Sequence, residues 1–351
     1  MLTTAWVLAA LTVLVTAASL WNYKVWWVRM FDLPRGQTIL LGMLAIVFFI
    51  SDGAISSATG WAIAFTALAI AYQARKVFPY TFLAPVMARK GSPRDPQRRV
   101  SLLVANVLGT NRDARRLLKL IEQYDPDLIL TLESDVWWEQ ALASVQSTRP
   151  HAIKIPLDNL YGMHCFSRHP LHDTVVRYLI EEDVPSIRTS IHLPSGDQIT
   201  FHGLHPRPPA PGENATAIER DAELLIVARE IEKDPGTVIV AGDLNDVAWS
   251  TTSDLFRRTS GLLDPRRGRG FYNTFHAKVP FFRWPLDHIF HSADLALLRL
   301  ERLPAFGSDH YPMFIELEYA PARNNGYEDE APSTNEREEV DESIEEGREK
   351  G

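Results

Sequence analysis

Two short stretches carry residue types that could do chemistry together. Gly242-Asp243-Leu244-Asn245 closes the apolar run Val238-Ile239-Val240-Ala241, and Gly307-Ser308-Asp309-His310-Tyr311-Pro312 follows further down the chain. Aspartate, asparagine and histidine can hold a divalent cation, take a proton from water and stabilise an oxyanion. Asp243 and Asn245 stand two positions apart in an extended turn, so both can face one site. Taken alone, they could equally cap the backbone of an ordinary turn. Glu133 ends the apolar segment Leu128–Leu132, where a carboxylate packs poorly but suits a hard cation such as Mg²⁺. It could also be a helix-start acid, because a helix is expected to follow. His205 lies in Gly203-Leu204-His205-Pro206-Arg207-Pro208-Pro209, a stretch stiffened by proline, and with His202 it lacks the helical spacing of a zinc site. Asp287 is placed to orient a histidine and stabilise its protonated form, which fits His310 as the group acting on phosphate oxygens. As a set, these residues point to metal-assisted hydrolysis of a phosphate ester.

The elements that must position them can be read coarsely. Val100–Ala105 and Leu128–Leu132 read as short strands. Helices are expected over Asn111–Tyr124, where Leu117, Leu118 and Ile121 line one face, and over Asp135–Val145. Gly162–Ser167, Thr174–Ile180, Ser186–Leu193 and Gln198–Leu204 read as strands, the last two joined through Ser195-Gly196-Asp197. Glu213–Glu232 reads as a long amphipathic helix. Strands follow at Thr237–Ala241, Asp287–His291, Leu295–Leu300 and Met313–Glu318. Helix–strand alternation followed by hairpins implies an α/β (α+β) fold of two packed sheets flanked by helices. Cys165 is the one cysteine, so an internal disulfide is excluded, and its strand setting makes it a small core residue.

The flanks differ in character. Residues 1–23 carry no charged side chain, and further apolar runs extend over Thr38–Ile50 and Ala54–Tyr72. About three transmembrane helices are therefore expected, near 3–22, 37–51 and 54–73, within a membrane region of residues 1–76. A cleaved signal peptide is the competing reading of the first run, but it lacks a basic start. Lys24, Arg29 and Arg35 against Asp52 place the amino terminus outside and everything after residue 75 in the cytoplasm of a multi-pass protein of the cell membrane. Residues 77–99 read as a basic linker, either lying on anionic lipid or merely solvated. The chain's net charge is −8, and the tail from Asn324 holds 11 acidic and three basic residues, which alone account for it. The rest is formally neutral, which argues against a strong nucleic-acid footprint. Arg266, Arg267 and Arg269 with Phe271 and Tyr272 form one candidate basic patch. With so few apolar residues, 321–351 reads as a disordered acidic tail.

The pattern resembles the endonuclease/exonuclease/phosphatase superfamily, with a deoxyribonuclease I-like fold. The resemblance rests on Asn106 in Val104-Ala105-Asn106-Val107, Glu133, His205, Asp243 with Asn245, Asp287 in Leu286-Asp287-His288-Ile289, and Ser308-Asp309-His310-Tyr311-Pro312, in the family's order over roughly 99–320. It implies a four-layer sandwich of two mixed sheets flanked by helices, with a catalytic domain over 100–320. It further implies that Glu133 binds Mg²⁺ or Mn²⁺, assisted by Asn106 and Asp309. Asp243 would take the proton of the attacking water, Asn245 position water or phosphate, and His205 contact a phosphate oxygen. His310, oriented by Asp287, would stabilise the pentacovalent transition state. Many nuclease members carry an acid where this chain has Leu108, so one metal ion is expected. The apolar amino terminus and the His-Pro-x-Pro-Pro segment are similar to a bacterial membrane-anchored branch. The implied activity is that of a phosphodiesterase or nuclease. A lipid- or inositol-phosphate phosphohydrolase of sphingomyelinase type is the second reading, and a non-catalytic membrane scaffold the third. The implied partners are a phosphate-ester substrate, either nucleic acid or phospholipid, and membrane lipids at the amino-terminal helices.

Overall fold

The computed structural model describes residues 1–21, 23–53, 56–321 and 331–351 and divides the chain into two compact units. The first unit is Met1–Pro85 with Pro209–Ala217. Its helices are α1 (Leu2–Leu20), α2 (Trp26–Arg29), α3 (Arg35–Ser51) and α4 (Ser57–Val77). Small residues Ala5, Ala9 and Ala45 meet Phe49 at its apolar centre. A buried polar chain ties the helices together: Arg35 bonds Asp32 at 2.5 Å and Gln73 at 2.7 Å, and Gln73 donates to Thr16 at 3.0 Å. Within the same unit, Trp26 N–H donates to the Ala215 carbonyl at 3.0 Å.

About three membrane helices were expected, and the structure corrects this. Among the described residues, only α1 is long and apolar enough to cross a membrane; a second span arises only if Trp26–Asp32 and α3, bent by 64°, are one. Helix α3 has 17 residues, about 25 Å of helix against a hydrocarbon core of about 30 Å. Helix α4 is diluted by Thr59, Thr66, Gln73, Arg75 and Lys76. A multi-pass arrangement is therefore not supported. Asn22 and the start of the third apolar run, residues 54 and 55, lie outside the described residues.

The second unit, Val86–Pro208 with Ile218–Gly351, holds the two sheets. In chain order its elements are β1 (Arg99–Asn106), α5 (Ala114–Tyr124), β2 (Leu128–Leu132), α6 (Val136–Ala141), β3 (His151–Ile155), β4 (Met163–Ser167), β5 (Leu171–Arg177), β6 (Ser186–His192) and β7 (Gln198–Leu204). There follow α7 (Ile218–Lys233), β8 (Val238–Asp243), α8 (Thr251–Ser260), β9 (Asp287–His291), β10 (Leu295–Arg302), β11 (Met313–Tyr319) and α9 (Thr334–Lys350). One sheet runs β10-β11-β1-β2-β4-β3 and the other β5-β6-β7-β8-β9. Both are mixed: β1–β2 and β7–β8 are parallel, and their other neighbours antiparallel. Leu102, Val104, Leu130 and Cys165 of the first sheet pack on Ile187, Phe201, Ile239 and Ala241 of the second. The outer faces are covered by α5 with Trp138 on one side, and by α7 and α8 on the other. This is the expected α/β sandwich.

Four expectations change. The helix over Asp135–Val145 is broken into α6 and a 3-10 turn at Ala143–Ser147, and α7 begins at Ile218 rather than Glu213. The stretch read as a basic linker is packed from residue 86 onward. Met87 and Ala88 enter the inter-sheet core, Gly91 N–H bonds the Leu297 carbonyl at 2.7 Å, and Glu318 accepts from the Arg94 and Asp95 amides. The tail read as disordered carries α9, started by a capping box of Ser333 and Glu336. Its few apolar residues, Val340 and Ile344, are spaced for one helical face and pack on Leu225, Ile226 and Leu255. Arg229–Asp341 at 2.7 Å and Arg337–Glu232 at 2.6 Å pin its acidic flank to α7. Average composition concealed that face. Residues 322–330 of the tail lie outside the described residues.

Candidate active site

Strand direction gathers the site. The parallel strands β1 and β2 end together at Asn106 and Glu133, and β7 and β8 end together at His205 and Asp243. Strand β9 starts where β8 stops, with Asp287 directly opposite Asp243. The Ser308–Pro312 segment leads into β11, which pairs with β1. Gly242 is required at this junction, because a Cβ there would fall 1.8 Å from the Leu204 carbonyl oxygen. Around the rim, Leu108, Glu133 and Asn245 all have positive φ, at 58°, 59° and 51°. Left-handed backbone at non-glycine residues is uncommon and costs of order 1 kcal/mol or more each, so the surrounding bonds must hold it.

Those bonds are present. Asn106 Nδ2 donates to Glu133 Oε1 at 2.8 Å and to Asp243 Oδ2 at 3.1 Å, and its Oδ1 accepts from the Leu108 amide at 3.0 Å. The other Glu133 oxygen accepts from the Gly109 amide at 3.1 Å. Asp243 Oδ1 accepts from the Asn245 amide at 3.0 Å, and Asn245 Nδ2 donates to the Pro206 carbonyl at 3.0 Å. His310 Nδ1 lies 2.7 Å from Asp287 Oδ2, and its Nε2 lies 3.4 Å from Asp243 Oδ2. Asp309 is half-buried and accepts a bond from Ser308 at 3.3 Å; its charge reaches both Glu133 and His310. His205 is buried against Tyr161, with ring centroids 5.3 Å apart, and its Nδ1 has no partner among the described residues. Every residue expected from the sequence is thus in or beside one cluster.

Burial sets the protonation. It raises Glu133 and Asp243 above the ordinary carboxylate range, against the lowering effect of Asn106 on the first and of His310 on the second. It lowers His205 to about 4, so that ring is neutral. Burial would lower His310 too, but Asp287, Asp243 and Asp309 together raise it to about 10. His310 is therefore a cation at neutral pH. Asp243, Asp287 and His310 offer atoms within 4.8 Å of one another, but an imidazolium that already donates to carboxylates repels a metal ion. Glu133, Asn106 and Asp309 suit a hard cation better: they bring oxygen donors, and two mutually repelling carboxylates with no arginine or lysine bonded to either.

Behind the cluster runs a buried polar network that the sequence did not disclose. Arg220 of α7 pairs with Asp221 at 2.6 Å and donates to the Asn245 carbonyl at 2.7 Å. Asp246 accepts from Ser253 and, through its carbonyl, from His288 Nε2 at 2.9 Å. His288 Nδ1 meets Arg266 at 2.8 Å, and Arg266 forks onto Asp264 and reaches the Asp287 carbonyl at 3.2 Å. The network joins the loop carrying Asp243 to the strand carrying Asp287. The only available signal was a charged residue on the inner face of a helix. It also removes the suggested basic patch: Arg266 is ion-paired and buried, Arg267 bonds Asp254 at 2.7 Å, and Arg269 bonds the Pro265 and Ala88 carbonyls.

A sequence profile of the Endonuclease/Exonuclease/phosphatase family matches residues 103–310, from within β1 to His310. The chain belongs to this family. Endonuclease/Exonuclease/phosphatase proteins hydrolyse phosphoester bonds, and this chain is a hydrolase of that class. No curated protein matches it in sequence. Solved structures show the fold. The human nocturnin catalytic domain with bound sulfate aligns with a TM-score of 0.53 at 16% identity, over 69% of this chain and 99% of that one. D. rerio TDP2 complexed with a single-strand DNA product aligns at 0.50 and 18%, over 63% and 99%. The endonuclease/exonuclease/phosphatase from Bacteroides vulgatus aligns at 0.51 and 17%, over 63% and 99%.

Proposed function

We propose that the chain is a membrane-anchored, Mg²⁺- or Mn²⁺-dependent phosphodiesterase. The observation that carries this reading is the His310 cation held between Asp243 and Asp287, next to the Asn106–Glu133 pair. Glu133, with Asn106 and Asp309, would hold one ion, which supplies positive charge to polarise the phosphate ester. Asp243 takes the proton of the attacking water. Its raised affinity for a proton suits that task, and His310, already protonated, cannot compete for it. As water oxygen bonds to phosphorus, negative charge grows on the phosphoryl oxygens and the ester P–O bond breaks. The His310 imidazolium faces that charge, and Asp287 keeps the ring charged and oriented. Neutral His205 contributes a hydrogen bond to a phosphate oxygen, and Asn245 positions water or phosphate.

Anchoring rests on α1. The anchor also supports a second reading, a phosphohydrolase acting on lipid or inositol phosphates. The test is turnover of a soluble aryl phosphodiester by the full chain with Mg²⁺, with chelator, and as Asp243→Ala. The expected result is activity that chelation abolishes and that the variant lowers by at least about 10²-fold. A variant as active as the parent sinks the reading.

A further inference from the structure

Beside the catalytic loop rises a hairpin whose tip is apolar and largely exposed. At its base Phe275 pairs with Trp284, and Phe275 N–H bonds the Trp284 carbonyl at 3.0 Å. The base is fastened to the loop that carries His310. Phe275 bridges to His310 and packs against its ring, with centroids 4.9 Å apart and planes tilted by 47°, and Ala277 N–H donates to the Asp309 carbonyl at 2.6 Å. Tyr311 Oη–H donates to the Ala277 carbonyl at 3.2 Å. Beyond this base the chain reads Lys278-Val279-Pro280-Phe281-Phe282-Arg283. Phe281 is 88% exposed, Phe282 56% and Val279 40%. Contiguous apolar side chains left in water mark an interaction surface, since folding alone would bury or replace them.

Resting on the phosphoesterase reading above, we propose that this hairpin docks on an anionic lipid surface and that the substrate class is a phosphoester of a lipid headgroup. Aromatic side chains settle at the headgroup level of a bilayer, and Val279 and Pro280 add aliphatic surface that suits lipid. Lys278 is exposed beside the tip, and Arg283, whose guanidinium lies over the Tyr311 ring and bonds the Ala277 carbonyl, adds positive charge at the base; both match the negative potential of anionic headgroups. A nucleic acid fits less well. It would call for a basic stripe, and the arginines that precede the hairpin, Arg266, Arg267 and Arg269, are occupied by Asp264, Asp254 and main-chain carbonyls. Because the hairpin base is bonded at Asp309 and packed against His310, a tip at headgroup depth holds the catalytic loop next to headgroup phosphates.

The single cysteine makes the test clean. Cys165 is fully buried, so Phe281→Cys gives one accessible thiol for an environment-sensitive nitrobenzoxadiazole label. The full chain is reconstituted into phosphatidylcholine vesicles containing phosphatidylserine. The expected label emission is blue-shifted and quenched by doxyl lipids, whereas a label at exposed Glu122→Cys stays aqueous. A label at 281 that iodide quenches and doxyl lipids do not overturns the proposal, as does protection by single-stranded DNA in place of lipid. Turnover separates the two readings. With Phe281→Ser/Phe282→Ser, hydrolysis of phosphatidylinositol phosphate in the bilayer should fall by roughly tenfold or more, the scale of two lost apolar anchors, while turnover of a soluble aryl phosphodiester holds. Equal loss on both substrates, or loss on neither, overturns the docking role. A parent chain that turns over the soluble diester but leaves bilayer lipids untouched overturns the lipid class and spares the phosphoesterase reading. A parent inactive on both overturns that reading, while the label still decides whether the tip enters lipid.

Discussion

Glu133 is the residue whose removal should separate cation binding from bond breaking. Its oxygens are held by Asn106 and the Gly109 amide, and Asn106 keeps its bonds to Asp243 and the Leu108 amide when the carboxylate is trimmed. Glu133→Ala should weaken activity about 10–100-fold at low Mg²⁺, with partial rescue as Mg²⁺ is raised; turnover that no metal concentration restores would contradict the role. A second test concerns Glu223, buried on α7 and raised to about 8 by burial and by the charge of Glu181, against Arg177. A carboxyl whose folded pKa lies above its unfolded value of 4.5 stabilises the fold below that value and progressively less as pH rises towards about 8. Glu223→Gln should therefore flatten the loss of melting temperature between acidic and mildly alkaline pH, an effect of a few kcal/mol at most. An unchanged pH profile would show that Glu223 is not the group responsible. At this scale the sequence was informative because the candidate residues stand in short motifs at strand ends. Asn106, Glu133, His205, Asp243, Asn245, Asp287, Asp309 and His310 come together in or beside one cluster. Arg220, Asp246 and His288 stayed hidden, since a buried polar residue without its partner looks like any surface residue.

Among the elements, strands were legible and helix ends were not. Strand β9 stood out by its apolar residues between Asp287 and His291, and β8 by its uninterrupted Val238–Ala241. Edge strand β3 and helix α8 escaped notice. β3 is only half-buried throughout, and α8 buries polar residues such as Thr252, Ser253 and Arg257. Helix α9 was misread because acidity outweighed two well-placed apolar residues. Ending the chain at residue 331 should expose Leu225, Ile226 and Leu255 and remove the burial of Val340 and Ile344. The expected cost is about 3–6 kcal/mol as an upper bound, seen as a lower denaturation midpoint, with activity at low temperature retained. A midpoint that does not move would show that α9 contributes no packing energy.

For the whole molecule, one chain joins an apolar helix to a sandwich of two sheets. α1 is apolar all round, and only Ala5, Ala9, Thr12 and Thr16 are buried by its neighbours. Such a helix prefers hydrocarbon to water. The full chain should therefore stay with the membrane pellet through an alkaline carbonate wash, and release into the supernatant would argue against a spanning α1. The sequence exaggerated the membrane region because hydropathy counts residues and ignores the buried chain of Asp32, Arg35, Gln73 and Thr16. It underrated the junction near residue 87 for the opposite reason, seeing the arginines and missing Met87 and Ala88.

The register that sets Asp243 opposite Asp287 also decides where this gene can change length. Side chains alternate between the faces of a sheet, so an insertion of one residue within β9 would not shift Asp287 slightly; it would turn it to the other side. The hairpin tip, residues 278–281, is another matter, because no bridge between strands passes through it. Insertions and deletions should be tolerated there and not at Asp287. A change of length at the tip would alter its reach while the catalytic spacing stays fixed.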